Sequence, residues 1–72
     1  MELTTAQAGA ALGLSDQAIR DHIAAGRLSA RRHGIRGLLK ISVDDLWLFA
    51  RQYNYVVNEE YLSRLVNQET AN

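Results

Sequence analysis

The chain has 72 residues, equal numbers of acidic and basic side chains, and no cysteine. This length fits one small domain with a thin core, which suits binding to a large partner better than enclosing a catalytic pocket. The lack of cysteine excludes disulfides and thiolate zinc sites, and no apolar run is long enough to predict a membrane-spanning helix. We therefore expect a cytoplasmic protein that binds a partner, needs no cofactor and is not an enzyme.

Capping residues mark the helix starts along the chain. Thr4 begins a capping box, and Ser15, Ser42 and Asn58 are the next three N-cap candidates. Each of these three follows an apolar residue that can pack against another in the first helical turns, an arrangement called a hydrophobic staple. A glycine ends each of the first two helices. The predicted helices cover residues 4–12, 15–25, 42–53 and 58–69.

Between the second and third helices the helical periodicity is lost. Extended stretches over residues 28–33 and 38–41 flank Gly34 and Gly37, which predicts a β-hairpin. The segment 27–41 also holds five of the eight basic residues and no acid. Such a local field can attract an anionic partner although the whole chain is neutral. The alternative is a solvated basic hairpin that binds nothing.

The predicted core takes apolar residues from the first three helices and the hairpin, chosen by helical or strand spacing. These residues are Leu3, Ala6, Ala10, Ala11, Ala18, Ile19, Ile23, Leu28, Leu39, Ile41, Leu46, Phe49, Ala50 and Tyr53. The last helix presents its own apolar stripe of Tyr61, Leu62, Leu65 and Val66. This stripe either closes the core of the domain or forms a surface for self-association or a partner.

The first two helices carry the pattern of a helix-turn-helix. Gly9 is small where the two helices cross, Gly13 supplies the turn, and Ile19 anchors the second helix in the core. The informative stretches are LTTAQA at 3–8, LGLSDQAIR at 12–20, AGRL at 25–28 and ISVDDL at 41–46.

In these stretches the sequence resembles the excisionase-like small winged-helix domains related to MerR-type regulators. The resemblance covers roughly residues 3–53. It implies a mainly α fold with a small β-hairpin, that is, a winged helix-turn-helix with a two-stranded wing, a third helix and an extra C-terminal helix. We accordingly divide the chain into a DNA-binding domain over residues 1–53 and a C-terminal helical segment over residues 54–72.

The resemblance also implies binding to double-stranded DNA, by a small transcriptional regulator or a recombination directionality factor. Such a protein would act at the bacterial nucleoid or in a phage-infected host cell. Phage terminase small subunits are similar too, so a role in DNA packaging stays open. A third alternative is a winged helix that serves as a protein–protein adaptor, which the neutral net charge allows.

If the second helix enters the major groove, its outward side chains meet the base edges. Gln17 suits adenine and Arg20 suits guanine, while Ser15 and the free backbone N–H groups beside it suit a phosphate. Asp16 and Asp21 depart from this picture, because each repels phosphate unless it is paired with Arg20 or accepts from a cytosine. The alternative for Gln17 and Arg20 is an ordinary solvated helix face.

The remaining candidate DNA contacts lie in the wing. Its phosphate-binding candidates are Arg31, Arg32, Arg36 and Lys40, and the tip between residues 34 and 37 suits a minor groove. Arg27 follows a helix end and is explained by the helix dipole. His22 and His33 have no second ligand at metal spacing, so we predict no metal site. A single small module buries little surface on DNA, so we expect weak binding by a monomer and cooperative binding on adjacent sites.

Overall fold

The computed structural model describes residues 1–70, with side chains described through residue 68. This part of the chain contains four helices and a small antiparallel sheet, so the prediction of a mainly helical fold with a little β-structure is confirmed. In chain order the elements are β1 (Glu2–Leu3), α1 (Thr5–Leu12), α2 (Asp16–Ala24), β2 (Arg31–His33), β3 (Leu38–Ser42), α3 (Val43–Tyr53) and α4 (Glu59–Thr70). None of these helices is long and apolar enough to cross a membrane.

The helix starts follow the predicted caps. Thr4 and Gln7 exchange two hydrogen bonds between side chain and backbone, which completes the capping box before α1. The hydroxyls of Ser15 and Ser42 accept from backbone N–H groups in the first turns of α2 and α3. The side-chain oxygen of Asn58 accepts from the N–H of residue 61 in α4. Each cap satisfies a donor that the helix itself leaves unpaired.

The sheet has the strand order β1-β3-β2, with both neighbouring pairs antiparallel. The predicted hairpin forms, but β2 begins at Arg31 and not at residue 28. The backbone N–H groups of Arg27 and Leu28 instead donate to the carbonyl of His22, at 3.0 and 3.3 Å, and so continue the turn that ends α2. β1, which is only two residues long, was not predicted from the sequence.

The core lies between the sheet and the helices. Its buried apolar residues are Leu3, Ala8, Ala11, Leu12, Ile19, Leu28, Ile41, Leu46, Phe49, Ala50 and Leu62. The predictions for Ala6 and Ala10 were wrong, because both are exposed while Ala8 and Leu12 face inward. The error arose because Leu3 was used to define the inner face of the first helix. Leu3 lies in β1 and does not share the helical period of α1.

Three further predicted core residues, Ala18, Ile23 and Leu39, are half-buried. Tyr53 was also predicted to be buried, but 38% of it is exposed. It is the last residue of α3, where its ring lies against Phe49 with the ring centres 5.0 Å apart.

The stripe on α4 contributes to the core of the domain. Leu62 is buried, and Tyr61 and Leu65 pack against the buried cluster, whereas Val66 is more exposed. The N–H of Asn58 also donates to the carbonyl of Ala11 at 2.8 Å, which ties the start of α4 to the end of α1. The C-terminal segment therefore packs on the domain through Asn58, Tyr61, Leu62 and Leu65, and residues 71 and 72 lie outside the described part of the chain.

Candidate nucleic-acid interface

The turn between α1 and α2 brings the two helices into close contact. Gly13 ends α1 in a left-handed conformation, with φ of 71°, and the N–H of Leu14 donates to the carbonyl of Gly9 at 2.8 Å. A Cβ added at Gly9 would lie 2.5 Å from the carbonyl oxygen of Leu14. The lack of a side chain at Gly9 therefore sets how α2 leaves the turn.

The outward face of α2 is polar, as predicted. Ile19 is fully buried, whereas Asp16, Gln17, Arg20 and Asp21 are exposed. The helix thus presents an anchored apolar side to the core and a continuous polar side to solvent.

Asp16 joins the two helices. Its carboxylate accepts a hydrogen bond from the hydroxyl of Thr5 in α1, and also accepts from Nε of Arg20 at 2.8 Å. Both contacts lower the pKa of Asp16 from its ordinary value of 3.8, and the hydrogen bond from the Thr5 hydroxyl has the larger effect, followed by the one from Arg20. The contact with Arg20 was predicted from the spacing. The contact with Thr5 was missed, because it joins residues eleven positions apart in different helices.

The two acids on α2 differ in how their charge is offset. Arg20 pairs with Asp16 through Nε, which leaves its two terminal nitrogens outside this ion pair. Gln17 donates from its side-chain amide to Asp21 at 2.9 Å. The amide is neutral, so this contact orients Gln17 without offsetting the charge of Asp21.

We expect Thr5→Val to remove a part of the stability that depends on pH. Because the pKa of Asp16 is lowered in the fold, its contribution is complete above 3.8 and is lost as the pH falls below that value through the folded pKa. The variant should unfold more easily than the wild type at neutral pH, and the difference should shrink in acid. Denaturant titrations at a series of pH values measure this difference. Thr5→Ser keeps the hydroxyl and should keep the pH dependence of the wild type, although the loss of a buried methyl group lowers its stability at every pH. Equal stability of Thr5→Val and wild type at neutral pH would contradict the assignment.

The β2–β3 hairpin carries its charges on two faces of the sheet. Arg31 pairs directly with Lys40 across β2 and β3, and His33 lies on the same face because side chains alternate along a strand. β1 adds Glu2 to this face, with its carboxylate 3.2 Å from Nε2 of His33 and 3.8 Å from Arg31. The segment 27–41 contains no acid, but the fold brings one to it.

The predicted phosphate-binding residues of the wing do not all lie together. Arg32 is on the opposite face from Arg31 and donates to the carbonyl of Gly37 at 3.3 Å, while Arg36 is exposed in the loop. Lys40 is half-buried at the base of the hairpin, in a small pocket that also includes the N-terminal strand and α4. Arg32 and Arg36 therefore lie near the tip of the hairpin, whereas Arg31 and Lys40 are paired at its base, on the face opposite to Arg32.

Arg27 follows the end of α2, where it was predicted to interact with the helix dipole, and it also makes a specific side-chain contact there. Its Nε donates to Nδ1 of His22 at 2.9 Å, and Nε2 of the same ring lies 3.5 Å from the hydroxyl of Tyr55. The imidazole also lies against the Phe49 ring in an edge-to-face arrangement, with the ring centres 4.8 Å apart. These contacts fix the end of α2 against α3 and the segment after it. Among the side chains that the structure describes, those of residues 1–68, no three of histidine, aspartate or glutamate form a group that could hold a metal ion.

The structure thus combines a fixed polar helix face with an exposed cationic hairpin. Comparisons of the chain with protein-family models, with curated proteins and with solved structures find no match.

Proposed function

We propose that this domain is a winged helix-turn-helix that binds double-stranded DNA, with α2 in the major groove and the β2–β3 hairpin on the backbone. The observation that carries the proposal is the set of three exposed arginines on the hairpin, with Arg31 and Arg32 on opposite faces of β2 and Arg36 in the loop. Guanidinium groups bind phosphate oxygens through charge-assisted hydrogen bonds. A hairpin supports such a role because β1 pairs only with the base of β3, which leaves the outer part unpaired at its edges.

The contacts on α2 support a role in reading sequence. Arg20 is held through Nε, and its two terminal nitrogens match the two acceptors of guanine in the major groove. Gln17 has an amide that suits adenine, and its bond to Asp21 limits its conformations before binding. Ser15 caps the helix with its hydroxyl, and the free N–H groups of the first turn suit a phosphate. In this arrangement Asp16 positions Arg20 and does not itself contact DNA.

The role that DNA binding serves stays open between transcriptional regulation, recombination directionality and phage DNA packaging. All three predict the same contacts by α2 and the hairpin. For a single module we propose weak binding, with useful affinity reached by several copies on adjacent sites, because an interface of this size buries only about 600–1,000 Å². Use as a protein adaptor is favoured by one observation, the charge of Asp21 on the exposed face of α2.

A salt series separates DNA binding from the adaptor alternative. The protein should bind short duplexes of random sequence. The logarithm of its affinity should fall linearly with the logarithm of salt concentration, with a slope of roughly −3 if the three arginines each neutralise one phosphate. Fluorescence anisotropy with labelled duplexes measures the affinity and its dependence on salt concentration. Binding that is absent at low salt, or that does not respond to salt, would refute the proposal and favour the adaptor.

A further inference from the structure

The tip of the hairpin exposes an apolar side chain completely. The N–H of Gly37 donates to the carbonyl of Gly34 at 3.1 Å, and this bond closes a β-turn with Ile35 and Arg36 at its two corners. Both glycines have positive φ, 73° and 64°, which the loop needs in order to reverse the chain. Ile35 is 107% exposed relative to an extended reference, so its side chain packs against nothing in the fold.

Isoleucine is an unusual residue for this position. Turn corners favour glycine, asparagine, aspartate and proline, and a β-branched apolar residue offers none of their advantages. The neighbouring Leu38 is also 60% exposed, at the start of β3. The tip therefore presents apolar surface that does not stabilise the domain and that only a bound partner would bury.

The surroundings of Ile35 limit the chemistry of that partner. Arg36 occupies the adjacent corner, and Arg32 reaches the loop through its bond to the carbonyl of Gly37. A partner must place negative charge around a narrow apolar site. The minor groove of DNA offers this arrangement where a base step opens, because phosphates line both edges and the apolar faces of the two bases become accessible between them. Isoleucine is among the side chains that proteins insert between base steps from the minor groove.

We propose that Ile35 is an apolar wedge that enters the minor groove, partly unstacks one base step and bends the duplex. The inference rests on the proposed function. It adds insertion of an apolar side chain to the phosphate contacts made by the arginines of the hairpin. Flexible pyrimidine–purine steps, TpA above all, resist unstacking least and should be the preferred site of insertion. Arg32 and Arg36 would then bind phosphates on the two sides of the opened step.

The test uses short duplexes in which 2-aminopurine replaces the adenine of a single TpA step, with the step moved along the duplex from one probe to the next. Unstacking of 2-aminopurine raises its fluorescence. Wild-type protein should raise the signal at one or a few positions, and Ile35→Ser should abolish this rise. The affinity of Ile35→Ser for the duplex should fall by no more than about tenfold, because the cost of unstacking the bases offsets much of the free energy gained when Ile35 contacts them. Ile35→Leu should keep the rise. Energy transfer between dyes at the two duplex ends should report a smaller bend for the serine variant.

A matched control removes an equally exposed apolar side chain elsewhere. Val56, between α3 and α4, is 87% exposed, so Val56→Ser makes a similar change away from the hairpin and should leave the signal unchanged. If the wild type binds with the expected salt dependence but Ile35→Ser unstacks and bends DNA equally well, the wedge is refuted while the proposed function stands. That result would assign the apolar tip to a protein or lipid contact. If the wild type binds no duplex, both proposals fail.

Discussion

Replacing Gly9 with alanine will destabilise the domain by about 2 kcal/mol, although alanine is normally the better helix residue. The new Cβ would lie 2.5 Å from the carbonyl oxygen of Leu14, and this atom belongs to the backbone, so no side-chain rotation relieves the clash. The turn must open, and the hydrogen bond between Leu14 and Gly9 must lengthen. In a domain of this size the melting temperature should fall by roughly 10 °C, which thermal denaturation followed by circular dichroism measures.

The neighbouring position provides the control for Gly9. Ala10 is exposed on α1, so Ala10→Gly should cost only the intrinsic helix preference, about 1 kcal/mol. Gly9→Ala reverses that exchange and should stabilise α1 by the same amount if no contact opposed it. A melting temperature for Gly9→Ala at or above that of the wild type would show that the helix crossing tolerates a side chain.

Removing the three wing arginines together, as Arg31→Ala, Arg32→Ala and Arg36→Ala in one variant, will weaken DNA binding by roughly two to three orders of magnitude. Each arginine is exposed, so the fold should remain intact. The loss should be nearly the same for all duplex sequences, and the salt slope should become shallower by about 3. Anisotropy titrations of wild type and variant on the same duplexes, over the same salt range, measure both changes.

Two further variants make the result specific. Arg51→Ala combined with Arg64→Ala removes exposed positive charge from α3 and α4, and should reduce binding far less than the wing variant. Gln17→Ala should change which sequences are preferred while leaving the salt slope nearly unchanged. Equal losses from the wing and from the helix arginines would indicate that net charge alone governs binding, and the hairpin would lose its assigned role.

The parts of the fold that could be predicted depend on short-range interactions. Thr4, Ser15, Ser42 and Asn58 each satisfy a backbone donor within the next three residues, so the four helix starts could be located from sequence alone. The hairpin was predicted for the same reason, since its glycines mark a local reversal. Contacts between residues far apart in the sequence could not be predicted in this way.

The errors share that cause. The strand containing Glu2 gains its structure from β3, so nothing in its own two residues indicates a strand. Its position decides both the inner face of α1 and the presence of an acid beside Arg31. In the candidate site, the outward residues of α2 followed from helical spacing, but the bond from Thr5 to Asp16 depends on how closely the helices cross. The half-burial of Lys40 likewise depends on the residues of β1 and α4 that line the same pocket.

The pairing of β1 with β3 also has a consequence for the order of folding. Leu3 pairs with Ile41, whereas the contacts that join α1 to α2 connect residues close in the chain. Closing a long loop costs chain entropy before its contacts form, so short-range structure assembles first. We expect the helix pair and the hairpin to be formed early and the β1–β3 pairing to be completed late. Substitutions in β1 should then accelerate unfolding more than they slow folding.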